Sequence, residues 1–169
     1  MKNEQIWNDY IRSRTGVYEA FMPDQIPNNL ISEANWMIRS RCRSSEDLGF
    51  TVQPGDICFL DYGQAYLNEA GYQHFGLVLA LCMKKALIIP MTSNAATYQR
   101  AYDPVDNPNG KRHLMRLGDI EGLNKPSVLF LNDMKFINTA RVIRITAHIP
   151  VNGTLFLQVK KRLRELIRV

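Results

Sequence analysis

Pro54-Gly55-Asp56-Ile57-Cys58-Phe59-Leu60-Asp61-Tyr62 is the stretch that decides the fold. Pro-Gly-Asp is turn chemistry, because Pro presets φ, Gly accepts a positive φ and Asp bonds nearby backbone amides. The six residues from Ile57 to Tyr62 then have the length and the apolar, partly aromatic content of a short strand. Upstream of the turn the pattern is helical, and downstream it is not. The chain therefore divides into a helical N-terminal extension, 1–50, and a mainly β domain, 51–169.

Working toward the C-terminus, 64–73 is a polar loop containing Gly71, and Phe75 to Leu81 is a second apolar strand. Lys84-Lys85 turns the chain into a third strand, Ala86 to Met91, which delivers Thr92-Ser93 at its end. Two apolar strands joined by a short charged turn read as a hairpin. Residues 94–125 carry Pro104, Pro108, Asn109-Gly110 and the basic cluster Lys111-Arg112-His113, and read as a long loop. Strand character resumes over 127–131 and 135–145. Asn152-Gly153-Thr154 offers a helix cap, and Phe156, Val159, Leu163 and Leu166 share one face of the helix that follows.

Toward the N-terminus, Gly16, Pro23 and Pro27 mark breaks between helical segments. Leu30, Ala34 and Met37 form a stripe expected to face inward, with Arg39 and Arg43 outward. Trp7 and Trp36 read as packing residues. The order of helices, short strands and a terminal helix is that of an α+β protein or a small barrel, and argues against alternating βαβ units.

Of the 169 residues 46% are hydrophobic and 22% charged, enough to bury a core and too apolar for a disordered chain. The three cysteines, Cys42, Cys58 and Cys82, lack metal or redox spacing, and the apolar settings of Cys58 and Cys82 read as buried thiols. No glycine-rich phosphate loop occurs, so neither a nucleotide cofactor nor a metal is expected. The charged start does not resemble a signal peptide, and no apolar run nears the ~18 residues of a membrane span, which makes the cytoplasm the expected compartment. The net charge of +5 is compatible with a phosphate-bearing partner and equally with a solvated basic surface.

Five segments, in order, carry a resemblance: GDICFLDYG (55–63), EAGYQH (69–74), GLVLAL (76–81), IIPMTS (88–93) and SVLFLNDMKFINTARV (127–142). Together they resemble the MazF/PemK toxin family, whose members open on a G-D-[IV] strand, continue with an E-x-G-x-x-R-P loop and close a third strand on a T-[SA] element. The likeness runs from Gly55 to the C-terminus. It implies a small SH3-like β-barrel with a C-terminal helix, a homodimer, and cleavage of single-stranded RNA without a metal. It also implies a cognate antitoxin protein as partner.

The resemblance implies that the T-[SA] hydroxyls, Thr92 with Ser93 beside it, are catalytic. The family's loop Arg is replaced here by His74, and its Pro by Phe75. Cleavage by the RNA's own 2′-hydroxyl needs a base, an acid for the 5′-oxygen, and charge or hydrogen bonds on the phosphorane. An imidazole can serve as either the acid or the base, which a guanidinium cannot. Two readings of His74 stand open: a working proton-transfer residue, or the loss of a phosphate clamp. Lys135 falls where the family places an Arg, Asn138 replaces an Asp, and Glu69 matches the loop Glu. Lys111, Arg112 and His113 are candidates for RNA contact, and Tyr62, Tyr66, Tyr72 and Tyr98 for base stacking. The alternative to a nuclease is a non-catalytic protein of the same fold, a gyrase-directed poison or a regulatory RNA- or protein-binding module.

Overall fold

The computed structural model describes residues 2–167. Two helices, α1 (Lys2–Glu19) and α2 (Gln25–Arg39), precede a 3₁₀ turn at Ser45–Leu48. Strands β1 (Asp56–Asp61), β2 (Gln73–Cys82) and β3 (Lys85–Thr92) follow, then helix α3 (Ala95–Arg100) and strands β4 (Ala101–Tyr102), β5 (Lys111–Gly118), β6 (Ser127–Phe130), β7 (Lys135–Asn138) and β8 (Val142–His148). Helix α4 (Thr154–Ile167) ends the fold.

All eight strands belong to one sheet in the order β4-β5-β6-β3-β2-β1-β8, with β7 also on β3. The expected hairpin is β2–β3, closed by Met83-Lys84 with Cys82 opposite Lys85. On its other side β3 splits its pairing: Met91 and Thr92 meet β6, whereas Lys85 to Ile88 meet β7. Among the described residues the path has two free ends, β4 and β8, so the hydrogen bonding draws an open sheet where a closed barrel was expected.

Each face of the sheet carries its own core, as strands buried on both sides do. Ile57, Leu77, Ile89, Met91, Met115 and Leu129 pack under α4 against Phe156, Val159 and Leu163, the helical stripe read from sequence. Cys58, Leu60, Tyr62, Val78, Ile88 and Val142 form the second core. Burial pushes the Cys58 thiol up to about 12, with the Asp56 charge adding to it. Cys82, in contrast, is exposed. Gly76 lets the sheet accept Tyr62, since a Cβ there would collide with the tyrosine hydroxyl and with Ile88.

The segment 94–125 is not a long loop. Asn94 caps α3 by accepting from the Thr97 amide at 3.0 Å, and β5 runs antiparallel to β6 with Leu114 opposite Phe130. The prolines and Asn109-Gly110 occupy only the connection between β4 and β5, where Asp103 Oδ1 accepts from the Val105 and Asp106 amides. Lys111-Arg112-His113 disguised the start of a strand whose apolar residues come later.

The amphipathic reading of α2 is inverted. Asn29 and Ser32 are buried, whereas Leu30, Ala34 and Met37 are exposed. Polar groups on the sheet explain it. Asp61 accepts from Ser32 Oγ at 2.8 Å and from Asn35 Nδ2 at 2.9 Å, and Arg39 donates to the Val142 carbonyl at 2.6 Å and the Ala140 carbonyl at 3.1 Å. Arg39 thus turns inward. Burial alone would raise the Asp61 pKa, but bonds from Asn35, the Gly63 amide, Ser32 and Gln73 outweigh it and hold the carboxyl below its usual range. Helix α1 leans on α2 through Arg14 and Tyr18, both of which meet Glu33, the tyrosine at 2.6 Å.

Candidate functional site

His74, the second residue of β2, lies opposite Leu60 of β1. One residue on, Phe75 faces Met91, so the same antiparallel register carried back one step sets position 74 across from position 92. Thr92 in turn faces Val128, and Val128 faces Arg116 of β5. The last paired rung of β2 and β3 is Phe75–Met91; extended one residue past it, the register aligns Leu60, His74, Thr92, Val128 and Arg116 along one face of five strands. Directly opposed residues project from the same face with Cβ atoms about 4.5–5.5 Å apart. At the end of this row the hydrophobic cover stops: His74 is exposed and Thr92 half-buried.

His74 is held by its own loop. Tyr72, at φ 53°, turns the chain, the Tyr72 amide bonds the Gly63 carbonyl at 2.6 Å, and the Tyr62 amide bonds the Tyr72 carbonyl at 2.7 Å. His74 Nδ1 lies 2.6 Å from the Gly71 carbonyl. A carbonyl only accepts, so Nδ1 carries the proton and Nε2 is the nitrogen available for chemistry. Thr92 Oγ1 accepts from the Asn94 amide at 3.2 Å, leaving its O–H to donate elsewhere. Ser93 is exposed beside it.

Lys135 lies opposite Ile88 on β7, four residues along β3 from Thr92 and on the same face. Its ammonium is 2.9 Å from Asp133 and 5.7 Å from the centre of the Tyr62 ring. Asp133 also accepts from the Ala70 amide at 2.6 Å, which ties the 63–72 loop to the sheet. Burial, then the Asp133 charge, drives the Tyr62 hydroxyl well above its usual range and keeps it neutral. Tyr62 is thus a core residue and offers no stacking face, whereas Tyr66 is exposed. Glu69 is exposed in the same loop.

Lys111, Arg112 and His113 do not join this group. The row meets β5 at Arg116, and five residues of strand put Lys111 about 16 Å further along. Arg112 lies over the Tyr102 ring at 4.8 Å with Arg162 of α4 on the same ring, so it faces the C-terminal helix. His113 is pushed below its ordinary value by burial and then by Lys111. Asn138 caps the 3₁₀ turn at Thr139–Arg141 and donates to the Arg43 carbonyl, a structural role.

Arg116 and Asp133 were missed in the sequence. Arg116 stacks on Tyr98 at 4.8 Å, donates to the Tyr98 carbonyl at 2.9 Å and pairs with Asp106. Only the strand register relates it to Thr92, and the loop-like sequence of 94–125 carries no sign of that strand. Among the described residues no cluster of three or more His, Cys, Asp or Glu is arranged to hold a metal.

No family model and no curated protein matches the chain. Solved structures do match. MazF from Deinococcus radiodurans is 16% identical over 71% of this chain and 99% of its own, with a TM-score of 0.52. An endoribonuclease in complex with its cognate antitoxin from Mycobacterial species is 6% identical over 70% of this chain and 97% of its own, with a TM-score of 0.49. The Mycobacterium tuberculosis toxin MazF-mt6 is 12% identical over 68% and 97%, with a TM-score of 0.47. The Deinococcus radiodurans chain is matched almost whole by part of this one. The protein therefore has a MazF-like fold with additional chain beyond it.

Proposed function

We propose that this chain is a MazF-like endoribonuclease toxin that cleaves single-stranded RNA in the cytoplasm without a metal and is silenced by an antitoxin protein. In this reading 51–169 is the catalytic domain, an SH3-like barrel left open at one seam, and 1–50 is an appendage. The working unit is a homodimer.

The observation that carries the reading is the register relation of His74 and Thr92 on the exposed end of one sheet face. In the proposed step the 2′-oxygen attacks phosphorus while the P–O5′ bond breaks. The 2′-proton leaves to a base, a proton reaches O5′ from an acid, and the products are a 2′,3′-cyclic phosphate and a 5′-hydroxyl. His74 Nε2 is the acid or base, while Thr92 and Ser93 donate hydrogen bonds to the non-bridging oxygens. Arg116 is the better source of positive charge because it lies in that row and its partner Asp106 is largely exposed, whereas Lys135, four residues along β3, is held by the mostly covered Asp133. Lys135 and Glu69 shape the loop edge of the RNA groove, with Tyr72 holding the loop. Lys111, Arg112 and His113 extend phosphate contact away from the cut.

Incubating the purified protein with a long RNA in EDTA tests this. Discrete fragments ending in a cyclic phosphate, or its hydrolysed form, are expected. Intact RNA at high protein concentration returns the protein to the non-catalytic readings, and full activity in both His74→Ala and Thr92→Ala removes the site.

A further inference from the structure

We infer that helix α2 braces the loop that holds His74: through the Asp61 carboxylate that helix and loop share, Ser32 and Asn35 are positioning residues for the imidazole. The catalytic half of this inference rests on the role proposed for His74 above, and its structural half stands without it.

Asp61 is the last residue of β1 and is only 4% exposed. A carboxylate buried this far must have its oxygens satisfied. The donors come from two sources. Oδ1 accepts from Ser32 Oγ and from the Gly63 amide, each at 2.8 Å, and Oδ2 accepts from Asn35 Nδ2 at 2.9 Å and from Gln73 Nε2 at 3.1 Å. Each oxygen thus joins one donor of α2 to one donor of the loop, and Gly63 and Gln73 are the two feet of that loop. Between the feet the backbone closes on itself, the Tyr72 amide on the Gly63 carbonyl and the Tyr62 amide on the Tyr72 carbonyl. Gly71 sits inside this closure, where a Cβ would come within 2.7 Å of Ala65 Cβ, so its backbone has little room to move. Its carbonyl is the partner of His74 Nδ1. The path from α2 to the imidazole therefore runs through the carboxylate, the loop feet and the Gly71 carbonyl.

The neighbouring anchors act elsewhere. Asp133 holds the Ala70 amide on the far side of the loop, and the tip beyond it is open, with Tyr66 86% and Leu67 94% exposed. Arg39, the other attachment of α2, donates to the carbonyls of Ala140 and Val142, and Arg141 donates to the main-chain carbonyl of Asp61 at 3.3 Å. A groove of about 790 Å³ between the helices and the sheet is lined by Asp61, Gly63 and Gln64 among others. With Ser32 and Asn35 truncated, water entering from this groove competes for the carboxylate, and its bonds to Gly63 and Gln73 weaken. The Gly71 carbonyl then moves away from Nδ1. Which ring nitrogen of a histidine carries the proton is set by the bond the ring makes, so a released imidazole exchanges its proton between the two and Nε2 is no longer reserved for chemistry.

The test compares the full chain with Ser32→Ala/Asn35→Ala and with Arg39→Met. Proton–nitrogen correlation spectra of the imidazoles are recorded at about pH 8, where an ordinary histidine is neutral, with His74 assigned by its absence from His74→Ala. The parent should hold its proton on Nδ1, and the double variant should move the His74 signals toward the average of the two tautomers. Single-turnover cleavage at saturating RNA should fall about 10- to 100-fold, while affinity for an uncleavable 2′-fluoro RNA stays within about twofold. Asn35→Ala alone should change both readouts in the same direction by less, and it covers a double variant that fails to fold. Arg39→Met loosens α2 away from Asp61 and should leave the His74 signals near those of the parent. Unchanged His74 signals in the folded alanine variants overturn the inference. An equal change in Arg39→Met overturns the route through Asp61, and a loss of RNA affinity as large as the loss of rate overturns the positioning role. A parent that leaves RNA intact overturns the nuclease reading, and the tautomer shift in the alanine variants then still supports the brace.

Discussion

The sheet and the N-terminal hairpin solve the same problem in opposite ways. The sheet buries most of its apolar residues on one face or the other, and Leu77 and Ile89, like Val159 of the covering helix, are fully buried. The hairpin turns its polar side inward, because the Asp61 carboxylate and the carbonyls of Ala140 and Val142, in the turn before β8 and at its start, offer stronger partners than its apolar face would find there. Periodicity states that a helix has two faces; it does not state which one meets the rest of the chain. That is decided by what the neighbouring surface lacks, and here it lacked hydrogen-bond donors.

The largest effect expected is on the chemistry proposed for the sheet. His74→Ala should lower RNA cleavage by about 10² to 10⁴, the range for loss of a general acid or base, without changing the melting temperature, since the side chain is exposed. A variant that loses activity together with stability would make His74 a structural residue. Trp7→Ala, in the hairpin, should leave single-turnover cleavage unaltered. An equal loss there would erase the division of labour.

Next comes stability. Leu77→Ala removes a side chain with no exposed surface and should cost about 2–5 kcal/mol in a denaturant titration. Leu30→Ala, the same substitution on the hairpin, should fall within about 0.5 kcal/mol at protein concentrations where the chain is monomeric. Equal costs would mean that the hairpin is packed in solution after all.

The β domain was legible because its signals are local. Gly55-Asp56 with the strand after it, the two-residue turn at Met83-Lys84 and the stripe of Phe156, Val159 and Leu163 each follow from residues adjacent in sequence or one helical turn apart. What was not legible depends on pairing between distant segments. Strand β5 looked like loop because its first three residues are basic, and only β6 alongside makes it a strand. The pairing of His74 with Thr92 in one site rests on the resemblance, and the β2–β3 register, which ends at Phe75–Met91, only brings the two positions to neighbouring strand ends. Arg116 was beyond reach because it shares no motif with either. Asp61, which reverses α2, sits in an apolar strand with nothing nearby in sequence to reveal its partners Ser32 and Asn35.

Asp61 is also where the two regions can be uncoupled. Asp61→Asn keeps the shape but removes the charge from four hydrogen bonds, and should cost about 1–3 kcal/mol, expressed as faster amide exchange in α2 ahead of the sheet. The pH dependence follows from the lowered pKa. Since the folded carboxyl lies below its unfolded value, its contribution is complete above about pH 4 and disappears as pH falls through the folded value. Acid should therefore loosen α2 in the parent below that range, and the Asn variant should lack this step. Simultaneous exchange in α2 and β2 would show that the hairpin does not open on its own.

The smallest effect separates the two basic regions of the sheet. Arg116 is tied to Asp106, which is 67% exposed on its side chain, so the pair itself contributes only about 0–1 kcal/mol. If RNA runs along the row of His74 and Thr92, Asp106→Asn frees the guanidinium for a phosphate at almost no cost in stability. Affinity for single-stranded RNA at low salt should rise about threefold, and log K should fall more steeply with log salt, by a slope of about 0.7 for one added phosphate contact. Among the described residues Arg112 has no acidic partner to remove, and Arg112→Gln should instead weaken binding slightly and reduce the slope. An unchanged slope in Asp106→Asn would mean that the strand leaves the sheet before it reaches Arg116, and that the phosphate track runs from Thr92 toward the 63–72 loop instead.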